Sequence, residues 1–273
     1  MSSFPQKIVS ETLAARRREA GSRLRVFVVE ETGSTNADAA KMLAAGTPEG
    51  DFAVVANTQT AGRGRVGRKW ASAQPGNLYL SCGFRPPALP PERLANFTLW
   101  LGVAVAKMLR EKFGVPALVK WPNDIFCAGK KLAGMLTEAH ADAGRVRGIV
   151  FGLGLNVNLD PATLPPEVRG IATSMRSALG GAPLDVNRVC AETLAAVERA
   201  YADFLAGTHA AALAALWGEF DLLAGRRVTA IYGDEEIAGT AQGVDSRGSI
   251  LIRDEVSGAV RAFSAGDVTL KKA

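Results

Sequence analysis

A nine-residue stretch, Gly62–Trp70, constrains the fold most strongly because its composition suits neither a buried strand nor a buried helix. It contains three glycines, four cations and one tryptophan. Glycines let the backbone turn sharply and approach a ligand closely. Arginines offer forked donors to carboxylate or phosphate oxygens, and successive N–H groups in such a turn can form an anion-binding nest. We therefore predict a loop that closes over an anionic ligand with an aromatic part, and a nucleotide fits that description.

The glycine spacing in this loop also matches two other nucleotide-binding patterns. It satisfies G-x-G-x-x-G after a strand-like run at residues 52–56. A dinucleotide fingerprint needs a helix directly after the last glycine and an acid about twenty residues later. Here residues 70–77, which include Pro75 and Gly76, cannot continue a helix. A kinase loop would be followed by V-A-I-K and H-R-D sequences, which are not found. The alternative without a binding function is a solvent-exposed basic loop.

Composition indicates a globular protein with a substantial core. The chain has 273 residues, of which 48% are hydrophobic, so one large domain or a large one with a small companion is expected. The net charge of +5 permits an anionic ligand but does not require nucleic acid. Cys82, Cys127 and Cys190 lack metal-type spacing and indicate reduced thiols in a cytoplasmic protein. We see no signal peptide, and the longest apolar run, residues 99–106, is too short to span a bilayer.

Apolar periodicity predicts an α+β fold for the first 220 or so residues. Helices are predicted at residues 8–19, 34–45, 92–113, 185–205 and 210–220, and strands at 24–31, 52–60, 77–84, 129–138 and 145–158. Only about twenty residues precede the first strand, which is too few for a helix-turn-helix DNA-binding domain.

The sequence texture changes after Asp221. Short strands are predicted at residues 228–232, 237–241, 249–252 and 260–263, with turns at Gly233-Asp234 and Arg247-Gly248. Such a segment makes a small β-barrel, which buries little surface alone and should pack on the larger domain. We therefore divide the chain into domains at residues 1–222 and 223–273.

Polar residues mark the ends of several predicted strands. The run Ser34-Thr35-Asn36 can cap a helix, and its spare polar groups could also form a ligand site. Pro122 excludes a regular central strand around residues 120–124 and indicates a polar turn. Asp124 in that turn could hold a metal through water or order Lys120. Lys131 is either an edge-protecting charge or a cation directed into a pocket.

These segments, taken in order, resemble the biotin–protein ligase family. The segments are Gly33–Asn36, Gln59, Gly62–Trp70, Lys120–Asp124, Lys131–Gly134 and Gly152–Asn156, followed by the small C-terminal barrel. The resemblance implies a class II aminoacyl-tRNA synthetase-like mixed sheet flanked by helices, with an SH3-like C-terminal β-barrel. It also implies that ATP and biotin form biotinyl-5′-AMP with Mg²⁺, before biotin passes to a lysine of a biotin carboxyl carrier protein, a subunit of acetyl-CoA carboxylase.

The resemblance also implies roles for individual residues. Biotin contacts would come from Ser34, Thr35, Asn36, Gln59, Gly62, Arg63, Gly64, Arg65, Lys131, Gly134, Gly152 and Gly154. ATP contacts would come from Arg65, Arg68, Trp70, Lys120, Asn123, Lys131 and Asn156, with Lys131 and Arg65 catalytic and Asp124 an indirect metal ligand. Fixed cations suit this chemistry, because a carboxylate must approach an α-phosphate.

Two alternatives and several expectations accompany this interpretation. A lipoate–protein ligase would share the fold and the lysine, although Arg63–Arg68 and Trp121–Asp124 favour biotin. An RNA-binding arginine–glycine segment would usually be longer and of low complexity. We expect a monofunctional ligase that binds neither operator DNA nor a membrane. The sequence leaves the oligomeric state open, and a homodimer is one of the states considered.

Overall fold

The computed structural model describes residues 7–72, 74–232, 235–264 and 266–270. Its larger sheet has seven strands in the order β1-β2-β3-β7-β6-β5-β4. They are β1 Arg25–Thr32, β2 Phe52–Gln59, β3 Leu78–Phe84, β4 Leu118–Lys120, β5 Asp124–Cys127, β6 Lys130–Asp142 and β7 Arg145–Leu155. The β1–β2 pair is parallel and the other pairs are antiparallel, so the sheet is mixed, as the sequence predicts.

Seven helices are described. They are α1 Ser10–Ala20, α2 Thr35–Ala44, α3 Phe97–Phe113, α4 Pro166–Arg169, α5 Met175–Ala178, α6 Val186–Ala206 and α7 His209–Phe220. The predicted start of α3 at residue 92 is wrong, because Pro91–Leu94 forms a separate 3₁₀ turn. Asn96 lies at the helix start without capping it, since its Oδ1 lies 3.0 Å from His209 Nε2 and its Nδ2 donates to the Ser246 carbonyl.

The period-two alternation of the strands assigns their residues to two faces. On β2, Ala53 and Val55 belong to the main core, whereas Phe52 and Val54 pack with α2 in a smaller cluster. Successive side chains of a strand point to opposite faces. The face that carries α2 is therefore also the face of the even-numbered positions of β6 from 134 to 140 and of β7 from 148 to 154.

The C-terminal segment forms a second, antiparallel sheet. Its order is β11-β10-β9-β8-β12, with β8 Arg227–Tyr232, β9 Glu235–Val244, β10 Ile250–Asp254, β11 Val260–Phe263 and β12 Asp267–Leu270. The sequence analysis missed β12. Among the described residues β11 and β12 do not pair with each other, so the sheet is open where a closed barrel was expected. The predicted turn Gly233-Asp234 lies outside the described residues.

Side-chain bonds join the second sheet to the turn between β4 and β5. The Trp121 indole nitrogen donates to the Gly248 carbonyl at 2.9 Å. Pro122 lies in that turn rather than in a strand, as predicted. No helix in the described part of the chain has the length and apolarity needed to cross a bilayer.

Candidate functional site

Three glycines form the floor of a cavity of about 520 Å³ on the α2 face of the larger sheet. Gly134 and Gly154 are register partners across β6 and β7, and Gly152 lies between Leu136 of β6 and Ser81 of β3. A Cβ atom at Gly152 would lie 1.9 Å from Asn36 Oδ1. One at Gly154 would lie 2.4 Å from the Trp70 ring. Glycine leaves room at both positions for side chains that lie flat on the backbone there.

The cavity collects nearly all of the residues that the sequence singled out. Its lining includes Ser34, Thr35, Asn36, Gln59, Arg63, Gly64, Arg65, Arg68, Trp70, Lys120, Asn123, Asp124, Lys131, Gly134, Gly152, Gly154 and Asn156. Gly62 is buried outside this lining, where an added Cβ would lie 2.6 Å from Ser72 Oγ. Its part is therefore to let the loop backbone pack closely.

One end of the cavity is made of buried polar groups at the start of α2. Ser34 is the N-cap residue, but its side chain makes no capping bond. The backbone N–H and the hydroxyl of Thr35 lie 2.9 and 3.1 Å from Gln59 Oε1. The Asn36 amide reaches across to β6 and β3. Capping alone therefore does not explain this polar run. We call Ser34, Thr35, Asn36, Gln59 and Ser81 the polar end.

The segment Gly62–Trp70 is a loop, as predicted. Gly64 N–H donates to the Arg68 carbonyl, and Trp70 N–H donates to the Gly62 carbonyl. Between them is a 3₁₀ turn in which Val66 has a φ of 52° and is 84% exposed. Extended backbone follows at Arg68, and no helix begins there. The dinucleotide-fingerprint alternative is therefore wrong.

Two arginines of this loop are bonded to other parts of the chain. Arg63 Nη2 donates to Glu138 Oε2 at 3.0 Å. Arg65 Nη1 donates to Asn123 Oδ1 at 3.3 Å, and its Nη2 lies 3.5 Å from the Gly266 carbonyl. The loop therefore contacts both β6 and the second sheet.

The opposite end of the cavity is built around Lys131. Its Nζ lies 2.7 Å from Asp124 Oδ1 and 5.5 Å from the centre of the Trp70 ring. Because β6 lies between β5 and β7, the edge-protecting interpretation of Lys131 is wrong. The carboxylate of Asp124 pairs with Lys131 and not with Lys120, whose Nζ lies 5.4 Å from the Phe126 ring centre.

Two asparagines at this end line the cavity and also donate hydrogen bonds to backbone carbonyls. Asn123 Nδ2 donates to the Met135 carbonyl at 2.7 Å. Asn156 Nδ2 donates to the Thr173 carbonyl at 2.9 Å. Each amide thus fixes a neighbouring strand or turn, which sets the shape of this end.

Sequence reasoning missed one wall of the cavity. It consists of Leu159, Leu164, Val168, Ile171 and Ala172, and we call these residues the apolar wall. Backbone bonds attach it to β6, since Lys131 N–H donates to the Ile171 carbonyl at 2.7 Å. The apolar residues at 164, 168 and 172 recur every four positions, which was a usable signal. Ser81 and Glu138 were also missed.

The cavity carries a large excess of positive charge. Among the described residues, six cations line it against one carboxylate, that of Asp124; the cations are Arg63, Arg65, Arg68, Lys69, Lys120 and Lys131. Such a concave surface attracts an anionic ligand. The described residues contain no group of three or more histidine, cysteine or acidic residues that could hold a metal.

Neither the thiols nor the histidines supply a nucleophile or base here. Burial raises the pKa values of the Cys82 and Cys127 thiols and raises the pKa of Cys190 to about 12. His209 is buried beside Asn96. Burial is the main cause that lowers its pKa, and the nearby Arg93 charge lowers it further. None of these residues, nor His140, is part of the described cavity lining.

Comparison with known proteins connects this cavity to a family. Residues 28–156 match the family described as "Biotin/lipoate A/B protein ligase family", and residues 224–271 match "Biotin protein ligase C terminal domain". The "Bifunctional ligase/repressor BirA" of Bacillus subtilis is 35% identical over 238 residues, 87% of this chain and 71% of that protein. The "Biotin--[acetyl-CoA-carboxylase] ligase" of Mycobacterium tuberculosis is 35% identical over 245 residues, 88% of this chain and 87% of that one.

A solved structure shows the same similarity. The biotin protein ligase from Aquifex aeolicus, in complex with biotin and ATP, superposes with a TM-score of 0.74 at 28% identity. The match covers 91% of this chain and 99% of the Aquifex chain.

Proposed function

The chain belongs to the biotin/lipoate A/B protein ligase family, and we propose that it is an ATP-dependent biotin–[acetyl-CoA-carboxylase] ligase. It joins biotin to a specific lysine of a biotin carboxyl carrier protein through biotinyl-5′-AMP. The observation that carries this proposal is a cavity with a buried polar end, an apolar wall and Lys131 between them. The match to a biotin protein ligase C-terminal domain favours biotin over lipoate.

The first half-reaction joins two anions. The biotin carboxylate attacks the α-phosphorus of ATP, the bond to the β-phosphate oxygen breaks, and pyrophosphate leaves. Fixed cations lower the barrier because negative charge crowds in the transition state. Lys131 is our candidate for the cation at the reacting oxygens, and its pairing with Asp124 holds its ammonium in place.

The polar end suits the biotin head group. A ureido group offers one carbonyl acceptor and two N–H donors. Ser34 and Thr35 provide hydroxyls and Gln59 an amide, all of them buried. Buried polar groups that match a ligand also reject analogues without those groups, since mismatched groups stay unpaired. This end would therefore select biotin over lipoic acid, which has no ureido group.

The opposite end suits the nucleotide. The apolar wall and the Trp70 ring offer flat apolar surface to adenine, and Arg68, Lys120, Asn123 and Asn156 offer donors to the ribose and phosphates. Mg²⁺ usually keeps several waters and binds through one or two carboxylates plus substrate phosphates. Asp124, the one carboxylate among the described lining residues, is our candidate for an indirect ligand that acts through such a water.

The second half-reaction needs no nucleophile from the enzyme. The carrier lysine attacks the mixed anhydride, its nitrogen forms an amide with biotin, and AMP leaves. The buried, protonated thiols are consistent with this route. The loop Gly62–Trp70, whose Arg63 and Arg65 hold it against β6 and the second sheet, would protect the anhydride until the carrier arrives.

We also propose the domain classes, the cellular location and the partners that the sequence indicates. The larger sheet is compatible with a class II synthetase-like domain and the second with an SH3-like domain, divided at residues 222 and 223. The reduced cysteines are compatible with the cytoplasm. We retain a homodimer as a state to be tested, and we expect no operator DNA as a partner.

Titration calorimetry tests the proposed function. We expect biotin to bind alone, a large further heat to follow the addition of MgATP, and lipoic acid to give neither signal. The matched acceptor control is a carrier domain whose target lysine is replaced by arginine, which should stay unmodified in a mass measurement. ATP–pyrophosphate exchange with lipoic acid but not with biotin would overturn the proposal.

A further inference from the structure

Glu138 lies outside the cavity lining, yet two residues that line the cavity converge on one of its oxygen atoms. Its Oε2 accepts from Asn36 Nδ2 at 2.7 Å and from Arg63 Nη2 at 3.0 Å. Its side chain is 33% exposed and projects from β6 on the α2 face. One carboxylate therefore ties the start of α2 and the Gly62–Trp70 loop to the sheet.

The bond to Glu138 fixes which way the Asn36 amide points. Nδ2 carries two hydrogens, which go to Glu138 Oε2 and to the Leu136 carbonyl at 3.3 Å. Oδ1 can then only accept, and Ser81 Oγ lies 2.6 Å from it. Because Gly152 has no side chain, the Asn36 amide has room to lie over β7, between β6 and β3.

The orientation of the Asn36 amide determines the direction of other hydrogen bonds in the polar end. Ser81 Oγ lies within hydrogen-bond distance of both Asn36 Oδ1 and Thr35 Oγ1, but it has a single proton. Because Asn36 Oδ1 only accepts, the Ser81 proton goes there, and Ser81 Oγ is left as an acceptor. The single proton of the Thr35 hydroxyl then has two acceptors within reach, Ser81 Oγ at 2.7 Å and Gln59 Oε1 at 3.1 Å. Gln59 Oε1 receives the Thr35 backbone N–H, so the two hydrogens on Gln59 Nε2 stay outside this chain of bonds.

We propose that Glu138 is a positioning residue for the ligase reaction, acting through Asn36 on the biotin site and through Arg63 on the loop. The carboxylate accepts from both donors and has no hydrogen to offer Asn36. Without it only the longer bond to the Leu136 carbonyl opposes a half-turn rotation of the Asn36 amide, and that rotation reverses the donor and acceptor that the amide presents to the polar end. The Arg63 guanidinium also loses its anchor on β6. This inference rests on the proposed function.

The first test compares three variants of the full chain. Glu138→Ala should raise the biotin dissociation constant about tenfold or more, because hydrogen bonds to a charged group are lost. Glu138→Gln keeps an oxygen that accepts from Asn36 and should recover most of that affinity. Asp142→Ala is the matched control, since Asp142 is an exposed acid on the same strand, paired with Arg147.

The kinetic pattern distinguishes positioning from general damage to the fold. For Glu138→Ala we expect a higher KM for biotin, while the KM for ATP stays within about twofold. A merely structural loss would lower the active fraction and leave both KM values alone. Biotin affinity unchanged in both Glu138 variants would overturn the inference, whereas a wild-type chain that binds no biotin would instead contradict the proposed function.

A double-mutant cycle tests the two routes separately. The half-time for loss of biotinyl-5′-AMP should fall severalfold in Glu138→Ala and in Arg63→Ala. In the Arg63→Ala background, Glu138→Ala should shorten the half-time less than it does in the wild-type background, because only the route through Asn36 remains, and it should still weaken biotin binding. If the effects on retention multiply, Arg63 is not the route. If Glu138→Ala fails to fold, Glu138→Gln and Glu138→Lys supply the same cycle, and the lysine should be the more harmful.

Discussion

The two ends of the cavity share a glycine floor but differ in how their side chains are held. Over Gly152, the Asn36 amide is 6% exposed and bonded to β6 and β3. Over Gly134 and Gly154, the Trp70 indole lies with a buried Nε1 that has no hydrogen-bond partner among the described residues. A satisfied network is costly to move, and an unpaired group gains from rearrangement. We infer that the polar end is preorganised and that the Trp70 end adjusts to its ligand.

The largest expected effect comes from Lys131, which lies beside Trp70 at the end opposite the polar end. Lys131→Ala removes the cation proposed to act where the carboxylate and α-phosphate meet. Losing such a contact typically costs about 2.7 to 4 kcal/mol, so single-turnover adenylate formation should slow roughly a hundredfold to a thousandfold. Biotin affinity should change much less. A variant with normal adenylation but weak biotin binding would contradict this assignment.

A pair of matched floor substitutions tests the difference between the ends directly. Gly152→Ala places a methyl group against a bonded amide, and overpacking of about 1 to 3 kcal/mol should weaken biotin binding about fivefold to a hundredfold. Gly154→Ala meets the Trp70 ring, which can move away, so it should raise the KM for ATP about threefold and spare biotin. Calorimetry and initial rates give both values. The comparison fails if Gly154→Ala weakens biotin binding as much as Gly152→Ala does.

Arg65 separates synthesis of the adenylate from its retention. Arg65→Gly removes the contacts with Asn123 and the Gly266 carbonyl and makes the loop more flexible. Biotinyl-5′-AMP should escape about tenfold faster, an estimate for one lost charge-assisted contact, while some synthesis continues. Released anhydride would label an unrelated protein such as an albumin, measured as biotin incorporated. If Lys131→Ala leaks and Arg65→Gly does not, the proposed division of roles is reversed.

The smallest expected effect is the change in conformational order of the loop Gly62–Trp70 when ligands bind. Its cations repel one another without an anion, and its glycines are costly to fix. We expect trypsin cleavage at Arg63, Arg65 and Arg68 to slow severalfold when biotin and ATP are both present, with less change for biotin alone. A fluorescence change of Trp70 should follow ATP rather than biotin. Equal cleavage in all states would show that the loop is already ordered.

The sequence predicted much of the fold because the relevant signals are local. Periodicity placed most strands and helices within a few residues, and glycines with arginines marked Gly62–Trp70 as a loop. It misplaced the start of α3, where Pro91–Leu94 makes its own turn. It also missed β12, which follows β11 after only a few residues. The first error lies at an element boundary, where local patterns carry least information. Like β12, the elements β4, β5, α4 and α5 were not predicted, because three or four residues show little periodicity.

The candidate site was predicted less completely, for a related reason. Polar or glycine-rich runs such as Ser34-Thr35-Asn36 stand out against an apolar background, so they could be found. Ser81 lies alone in a buried strand and Glu138 is the last residue of a predicted one, and neither has a neighbour that marks it. Their importance depends on partners far away in sequence.

The sequence by itself determined the α+β order of elements, the basic loop and the set of residues that identifies the family. Only the tertiary structure decided that Gly134 faces Gly154, that Gly152 lies between Leu136 and Ser81, and that Glu138 meets both Arg63 and Asn36. Helix and strand patterns reflect interactions between residues a few positions apart. The partners of Glu138 lie 75 and 102 residues away, and only strand register and the packing of α2 bring them together.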